Sequence, residues 1–469
     1  MGNCAVPEVY SFHTFYFPFV WDNAGTLSMK KYIESLQKDK NWRAVSVSSF
    51  DDASENMVAD YQQLQYFTAS GRKSIFGWDE DFVKCFDYSG IKNKAKYYIK
   101  RVDETEDKSG NKEPVITEYK LNLDGIKLKI YNTGIGVLTF EAENENYRNL
   151  KAVKEINEYG RRIFAPFFGS NNDCSLCATV LGVIHDDKNE ALSAISKTRP
   201  VSESECVPSF IRYFLPDTKV LPAVDDRMFV ACIVNDAEIF KVHMNYKTDI
   251  KASKSLYEFL YIDREDGCSC PTDDMREELI ENSIYKRWLE YRDDNSEPCG
   301  TLYGVTHHSM VCMTAATDKY IAEIPFLTVY THMISIVLAQ RATIIAFDEK
   351  ISEASKDFEK RKRGIRFGRI RKLKKLQEKH IAFLNQHMNI EITNQEQGVE
   401  LYEMLQEHMY VTKEAEILSG EIDFLSDIAN TTNDIFLNTA AIFLAIVSLF
   451  PMWEIGMWVI NLVKNLICK

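Results

Sequence analysis

The sequence predicts a mixed α/β domain, then a long helical stalk, then a hairpin of two apolar helices at the C-terminus. Three observations carry this. Short β-branched and aromatic runs, separated by turn residues, recur up to about residue 320. From Ile321 the pattern turns helical and stays so almost to the end. Finally, Ile435–Trp453 is nineteen residues without a charge, enough as a helix to cross a bilayer core of about 30 Å. The expected divisions are 1–320, 321–434 and 435–469.

At 469 residues with 45% hydrophobic content, the chain has room for two or three domains and a sizeable core. Its net charge of −13 argues against nucleic acid as a direct partner of the whole surface. Eleven scattered cysteines, an odd number, suit reduced thiols better than a disulfide framework. Cys174-x-x-Cys177 and Cys268-x-Cys270, with Cys299, offer thiolates for zinc, but their spacing does not match a usual knuckle. Phe12–Trp21 has no basic leader or small-residue cleavage site, so it reads as a strand rather than a signal peptide. Met1-Gly2-Asn3-Cys4 lacks the Ser or Thr at residue 6 that myristoylation calls for.

In order, Phe12–Trp21 reads as a buried strand and Lys30–Leu36 as a short helix. Tyr119–Leu123, Ile126–Tyr131 and Gly136–Glu141 are short strands, split by turns at Asp124-Gly125 and Thr133-Gly134. The first of these turns predicts a hairpin. Asp107–Glu113 reads as an exposed loop, and Tyr147–Arg162 as a helix closed by Pro166.

Two places suggest binding. Arg161 and Arg162, beside Gly160, could present a fork of donors to phosphate, or form a salt-bridged surface pair. His307 and His308 are candidates for a small ligand; as strand neighbours they would face opposite ways and could not share a metal easily. No nucleophile elbow, Walker loop, HExxH helix or dinucleotide glycine loop is present, so the expectation is a non-enzyme.

Val329–Ile351 is an apolar helical stretch. Lys356–Lys375 carries eleven Lys or Arg against two acids and reads as a helical tip or a basic coil, suited to anionic headgroups or an anionic ligand. Leu376–Leu425 has no proline and reads as helix over about fifty residues, with a seam of Leu401, Leu405, Ile417, Leu418, Ile422 and Leu425. A helix this long calls for neighbouring helices or subunits.

Within the apolar run, Thr431, Asp434, Asn438, Ala441, Ala445, Ser448 and Met452 recur at alternating steps of three and four, on one small or polar helix face. Ile435, Ile442 and Leu449 lie off it. Such a stripe suits a pore-lining face in a ring of subunits, with Asp434 at the mouth, or a helix-packing face. Ile455–Cys468 is a shorter second apolar arm. The alternative is a C-terminal helix buried in the protein's own core. Basic residues at Lys356–Lys375, Lys464 and Lys469 favour both ends on the cytoplasmic side.

This order of parts resembles the CorA family of divalent-cation channels, with sequence support concentrated from about Tyr330 onward. The resemblance implies a homo-oligomer, a pentamer by family habit, whose stalk helix continues as the pore-lining membrane helix. The family signature is Gly-Met-Asn; here Gly456-Met457-Trp458 replaces the asparagine with Trp458, which puts ordinary magnesium uptake in doubt. More closely, Phe12–Trp21, Asn157-x-x-Gly160-Arg161-Arg162 and Gln395–Leu405 look like divergent CorA-like membrane effectors associated with type III CRISPR systems. That resemblance implies a multi-pass protein of the cell inner membrane with a cytoplasmic N-terminal ligand-sensing domain. It would contact membrane lipids and be activated in antiviral defence by a nucleotide messenger, SAM-AMP, with no covalent cofactor and a divalent cation as a further ligand. The other readings are a CorA-type magnesium or divalent-cation transporter and a membrane-tethered scaffold without conduction.

Overall fold

A computed structural model describes residues 9–21, 28–45, 57–78, 82–90, 95–106, 112–164, 177–185, 188–195, 207–216, 220–292, 296, 299–359, 366–388, 391–448, 456–461 and 463. Its part up to Thr314 is built around one sheet. The strands are β1 (Ser11–Val20), β2 (Trp42–Ala44), β3 (Val83–Tyr88), β4 (Ala95–Glu106), β5 (Lys112–Tyr131), β6 (Ile135–Asn144) and β7 (Val180–His185). They continue with β8 (Lys188–Ala194), β9 (Leu221–Pro222), β10 (Phe229–Asn235), β11 (Ile284–Tyr285), β12 (Thr301–Val305) and β13 (Ser309–Thr314). The main path runs β11-β12-β13-β10-β1-β6-β5-β4-β7-β8.

The aromatic run of β1 sits near the middle of this path because both of its faces are covered: Phe15, Phe17 and Phe19 are fully buried, and so is Tyr16 on the other face. Pro18 is tolerated there for a specific reason. On one edge, β1 pairs with β10 only as far as Tyr16 and with β9 only from Phe19, so Pro18 falls between the two partners. Its missing N–H leaves no ladder bond unmade, and its carbonyl accepts from the Ala223 N–H at 3.0 Å. Every pairing along the main path is antiparallel except β10 with β13, which is parallel.

The hairpin expected at Asp124-Gly125 does not form. β5 runs straight through it, with a bulge where Leu123 and Gly125 oppose the adjacent pair Ala142 and Glu141. Burial explains why: Leu121 and Leu123 face the core before the bulge, and Ile126, Leu128 and Ile130 after it. Asp124 is the extra residue that resets the alternation from odd to even positions, which keeps the apolar side chains on the buried face. The chain reverses instead after Tyr131, at the Thr133-Gly134 turn, where Gly134 takes a left-handed φ of 98°.

The expected uninterrupted helix over Leu376–Leu425 is also corrected. One helix covers Arg366–Phe383, a π-helical turn follows at Leu384–Met388, and separate helices span Glu396–His408 and Val411–Ser448. The break before Glu396 is a tertiary effect. Ile392 accepts the Thr68 N–H at 2.9 Å, Thr393 bridges Phe67, and its hydroxyl donates to the Tyr66 carbonyl at 2.7 Å. The second break falls at Tyr410, in left-handed conformation at φ 57°. Of the expected apolar seam, Leu401, Leu405, Leu418, Ile422 and Leu425 are buried, but Ile417 is exposed.

The chain divides into two compact units, Met1–Ala346 with Ala382–Glu414, and Phe347–Ile381 with Ala415–Lys469. The first is the mixed α/β domain. In the second, the Phe347 ring meets His380 edge-on at 5.7 Å, and Ser426 donates to Gln377 at 3.3 Å. Long helices thus follow the α/β domain. Among the described residues, the helical run Glu323–Lys356 is long and apolar enough to cross a membrane, with 83% of its apolar window buried inside the protein.

Candidate functional site

The two pairs of binding candidates, Arg161–Arg162 and His307–His308, are 145 residues apart in sequence and come together in the fold. The sheet does this. The helix Leu150–Arg161, capped by the Asn149 side chain on the Ala152 N–H, lies on β1. The carbonyl of its last residue, Arg161, accepts from the Met228 N–H at 2.9 Å, just before β10 begins. The N–H of Val230 in turn donates to the His308 carbonyl at 3.1 Å, just before β13. Parallel pairing of β10 with β13 sets both strand entries side by side.

Both histidines lie in the turn between β12 and β13, not in a strand, so the expected opposite facing does not apply. Their rings are 4.9 Å apart and perpendicular. Asp225 is the carboxylate beside His308. It lies 3.4 Å from His308 Nδ1 and 3.0 Å from Arg227 Nη2, and it accepts from the Asp226 N–H at 2.7 Å. Burial alone would raise its pKa, but those hydrogen bonds and the Arg227 charge bring it below the ordinary value. Burial, and then the charges of Arg161, Arg227 and Arg341, push His308 down to about 3, so it is neutral at physiological pH.

The arginine pair does not form an open fork. Glu158, one turn back, takes both guanidinium groups: Arg162 Nε, and Arg161 Nη2 at 3.5 Å. Arg161 is 2% exposed, and burial lowers it to about 10. Its Nη2 also reaches the Ile262 carbonyl at 3.4 Å, while its Nε and Nη1 are buried without a hydrogen-bond partner.

Arg341 closes the other side. It is the one Lys, Arg, Asp or Glu between Thr331 and Phe347, a signal that singles it out in an otherwise uncharged stretch. Its Nη1 donates to the Met409 carbonyl and lies 3.8 Å from Glu414, and its buried Nε has no partner. His307 Nδ1 donates to the His408 carbonyl at 3.1 Å. The site therefore touches the residues from which the Val411–Ser448 helix starts.

No protein-family model matches the chain, and no curated protein or solved structure matches it either. The likeness to CorA-like proteins rests on the motifs quoted above. Of these, Asn157 and Gly160 have structural work: Asn157 accepts from His13 Nδ1 at 2.7 Å, and Gly160 lets the helix approach Phe15.

On the small or polar stripe, Thr431, Asn438, Ala441, Ala445 and Ser448 are exposed on the Val411–Ser448 helix, and so are Ile442 and Leu444 off the stripe. Asp434 is helical; its side chain and the whole of Met452 lie outside the described residues. Gly456, Met457 and Trp458 open a helical run, 456–461, all exposed. Cys174 lies outside the described residues, Cys268 and Cys270 are free thiols, and the Cys177 thiol donates to the Phe164 carbonyl at 3.0 Å. Among the described residues, no group of three or more His, Cys, Asp or Glu could hold a metal ion.

The sequence reading missed Glu158, Asp225, Arg227 and Arg341. Asp225-Asp226-Arg227 is a compact charged triplet before an apolar strand, and that was the visible signal for Asp225 and Arg227.

Proposed function

We propose that this protein is a ligand-gated membrane channel or membrane-disrupting effector, CorA-like in plan, that responds to a nucleotide messenger of the SAM-AMP kind in type III CRISPR antiviral defence. The observation that carries the reading is a single helix, Val411–Ser448. It begins beside the Arg341–His307 site and extends without interruption into the uncharged run that starts at Ile435.

The two apolar helices differ in what covers them. Glu323–Lys356 is enclosed by protein and is accounted for as a core helix. Ile442 and Leu444 are 61% and 66% exposed, and Met457, Trp458, Val459, Ile460 and Val463 are exposed as well. Apolar side chains open to water in this number call for lipid or neighbouring subunits. Both membrane arms, a homo-oligomeric ring with a CorA-like pentamer first, and an inner-membrane location with the α/β domain cytoplasmic follow from this reading. Direct nucleic-acid binding is no part of it.

The test is solute flux from liposomes carrying the full chain, with magnesium alone and with SAM-AMP added. Low flux with magnesium and a rise with the messenger are expected. Equal magnesium flux in both would instead favour a CorA-type transporter, and no flux in either a tethered scaffold.

A further inference from the structure

From the cluster around Asp225 we infer an anion site that receives a phosphoryl group, built from the unpartnered guanidinium N–H donors of Arg161 and Arg341 with His307 and His308 beside them. This rests on the ligand-gated reading for its purpose, but not for its chemistry.

Two buried guanidinium groups carry N–H donors with no acceptor: Nε and Nη1 of Arg161, and Nε of Arg341. An unmade hydrogen bond from a buried charged donor is costly, and such donors in a folded protein call for an ion or water that satisfies them. Arg161 and His308 receive the Met228 and Val230 N–H groups two residues apart on one segment, the His308 and His307 rings lie 4.9 Å apart, and His307 and Arg341 bind the adjacent carbonyls of His408 and Met409. The two arginines therefore border one locus, although they come from separate elements. Each of these donors belongs to a charged guanidinium and can make a charge-assisted hydrogen bond to one phosphate oxygen. The neutral histidines add hydrogen bonds without a fixed charge of their own. Asp225 is the resident counter-ion. It holds the cationic groups together while the site waits, and it repels an arriving anion.

The location gives the binding a consequence. Arg341 and His307 hold the carbonyls of Met409 and His408, immediately before the left-handed turn at Tyr410 and the start of the Val411–Ser448 helix. A phosphoryl group drawing on Arg341 competes with those contacts at the root of that helix.

The test uses the full chain in detergent with inorganic phosphate and AMP as probes, measured by calorimetry. Saturable binding is expected in the wild type, tightened about fivefold or more in Asp225→Asn, since a like charge has gone, and weakened about tenfold or more in Arg341→Gln. In the wild type alone, phosphate should slow diethylpyrocarbonate modification of His307 and His308 severalfold, read by peptide mass spectrometry, which needs no variant to fold. No saturable binding, binding unchanged in both folded variants, or histidines unprotected at saturating phosphate would overturn the site. Binding with this pattern but no messenger-driven flux keeps the site and removes the gating role. Messenger-driven flux with phosphate binding unaltered by either variant removes the site and keeps the channel.

Discussion

His13 Nδ1 lies 2.7 Å from the side-chain oxygen of Asn157, tying the middle of β1 to the helix that ends at Arg161. On the other side of the ring, the Ser11 hydroxyl meets Nε2 at 2.9 Å and itself accepts from Asn144 at 2.9 Å. Nδ1–H donates to Asn157 and Nε2 accepts from Ser11, so the buried imidazole is neutral. The Asn157-x-x-Gly160-Arg161-Arg162 motif is thus anchored to the sheet, with both of its arginines on Glu158.

That relationship sets a pH dependence. Burial pushes His13 and His387 down to about 4, and His308 falls to about 3 for the reasons above. In the unfolded chain histidine titrates near 6.5. Between these values the unfolded state binds more protons, so stability is fully present above about pH 6.5 and is lost as pH falls toward 4. Denaturant midpoints of the detergent-solubilised chain should therefore drop from pH 7.5 to pH 5. A flat profile would count against neutral buried histidines.

Gly160 is set by contact. A Cβ there would lie 2.7 Å from Phe15 Cζ and 3.1 Å from Ile99 Cδ1. Neither the ring nor the strand below it has room to yield, so Gly160→Ala is expected to destabilise by about 1–3 kcal/mol. A thermal midpoint equal to wild type would contradict the packing described.

Lys154 and Glu258 form an ion pair at 2.7 Å with both side chains 3% exposed. Lys154→Met leaves a buried carboxylate unpaired and should cost about 3–5 kcal/mol, as should Glu258→Leu. The double variant should be far less destabilised than the sum of the two. Additive losses in a double-mutant cycle would show that the pair is not coupled.

The membrane reading makes a prediction at the stripe. Single cysteines at Thr431, Asp434, Asn438, Ala441, Ala445, Ser448 and Met452, with native cysteines removed, should react with a water-soluble thiol reagent during flux. Those at Ile435, Ile442 and Leu449 should not. Asn438→Leu should assemble and bind ligand while conducting less. Protection of all seven stripe positions during measurable flux would remove the pore assignment.

Local pattern determined much of this protein. The continuous apolar run of β1, the amphipathic helix ending at Arg161 and the helical character of the second half are written in residue periodicity, because each element buries a face set by its own repeat. The uncharged run from Ile435 is equally plain. Tertiary contacts decided the rest. Asp124-Gly125 is a turn by composition and a bulge in the fold, because a change of alternation was needed to keep one face of β5 in the core. The chain leaves the helix around Ile392 because Phe67 and Thr68, more than 300 residues earlier, supply strand-like partners. Arg161 and His308 become neighbours of the same segment, Met228–Val230, because β10 and β13 pair in parallel and bring two distant strand entries together. Sequence periodicity encodes which side of an element is buried, but not which element will bury it, and the Asp225 cluster is made wholly of choices of the second kind.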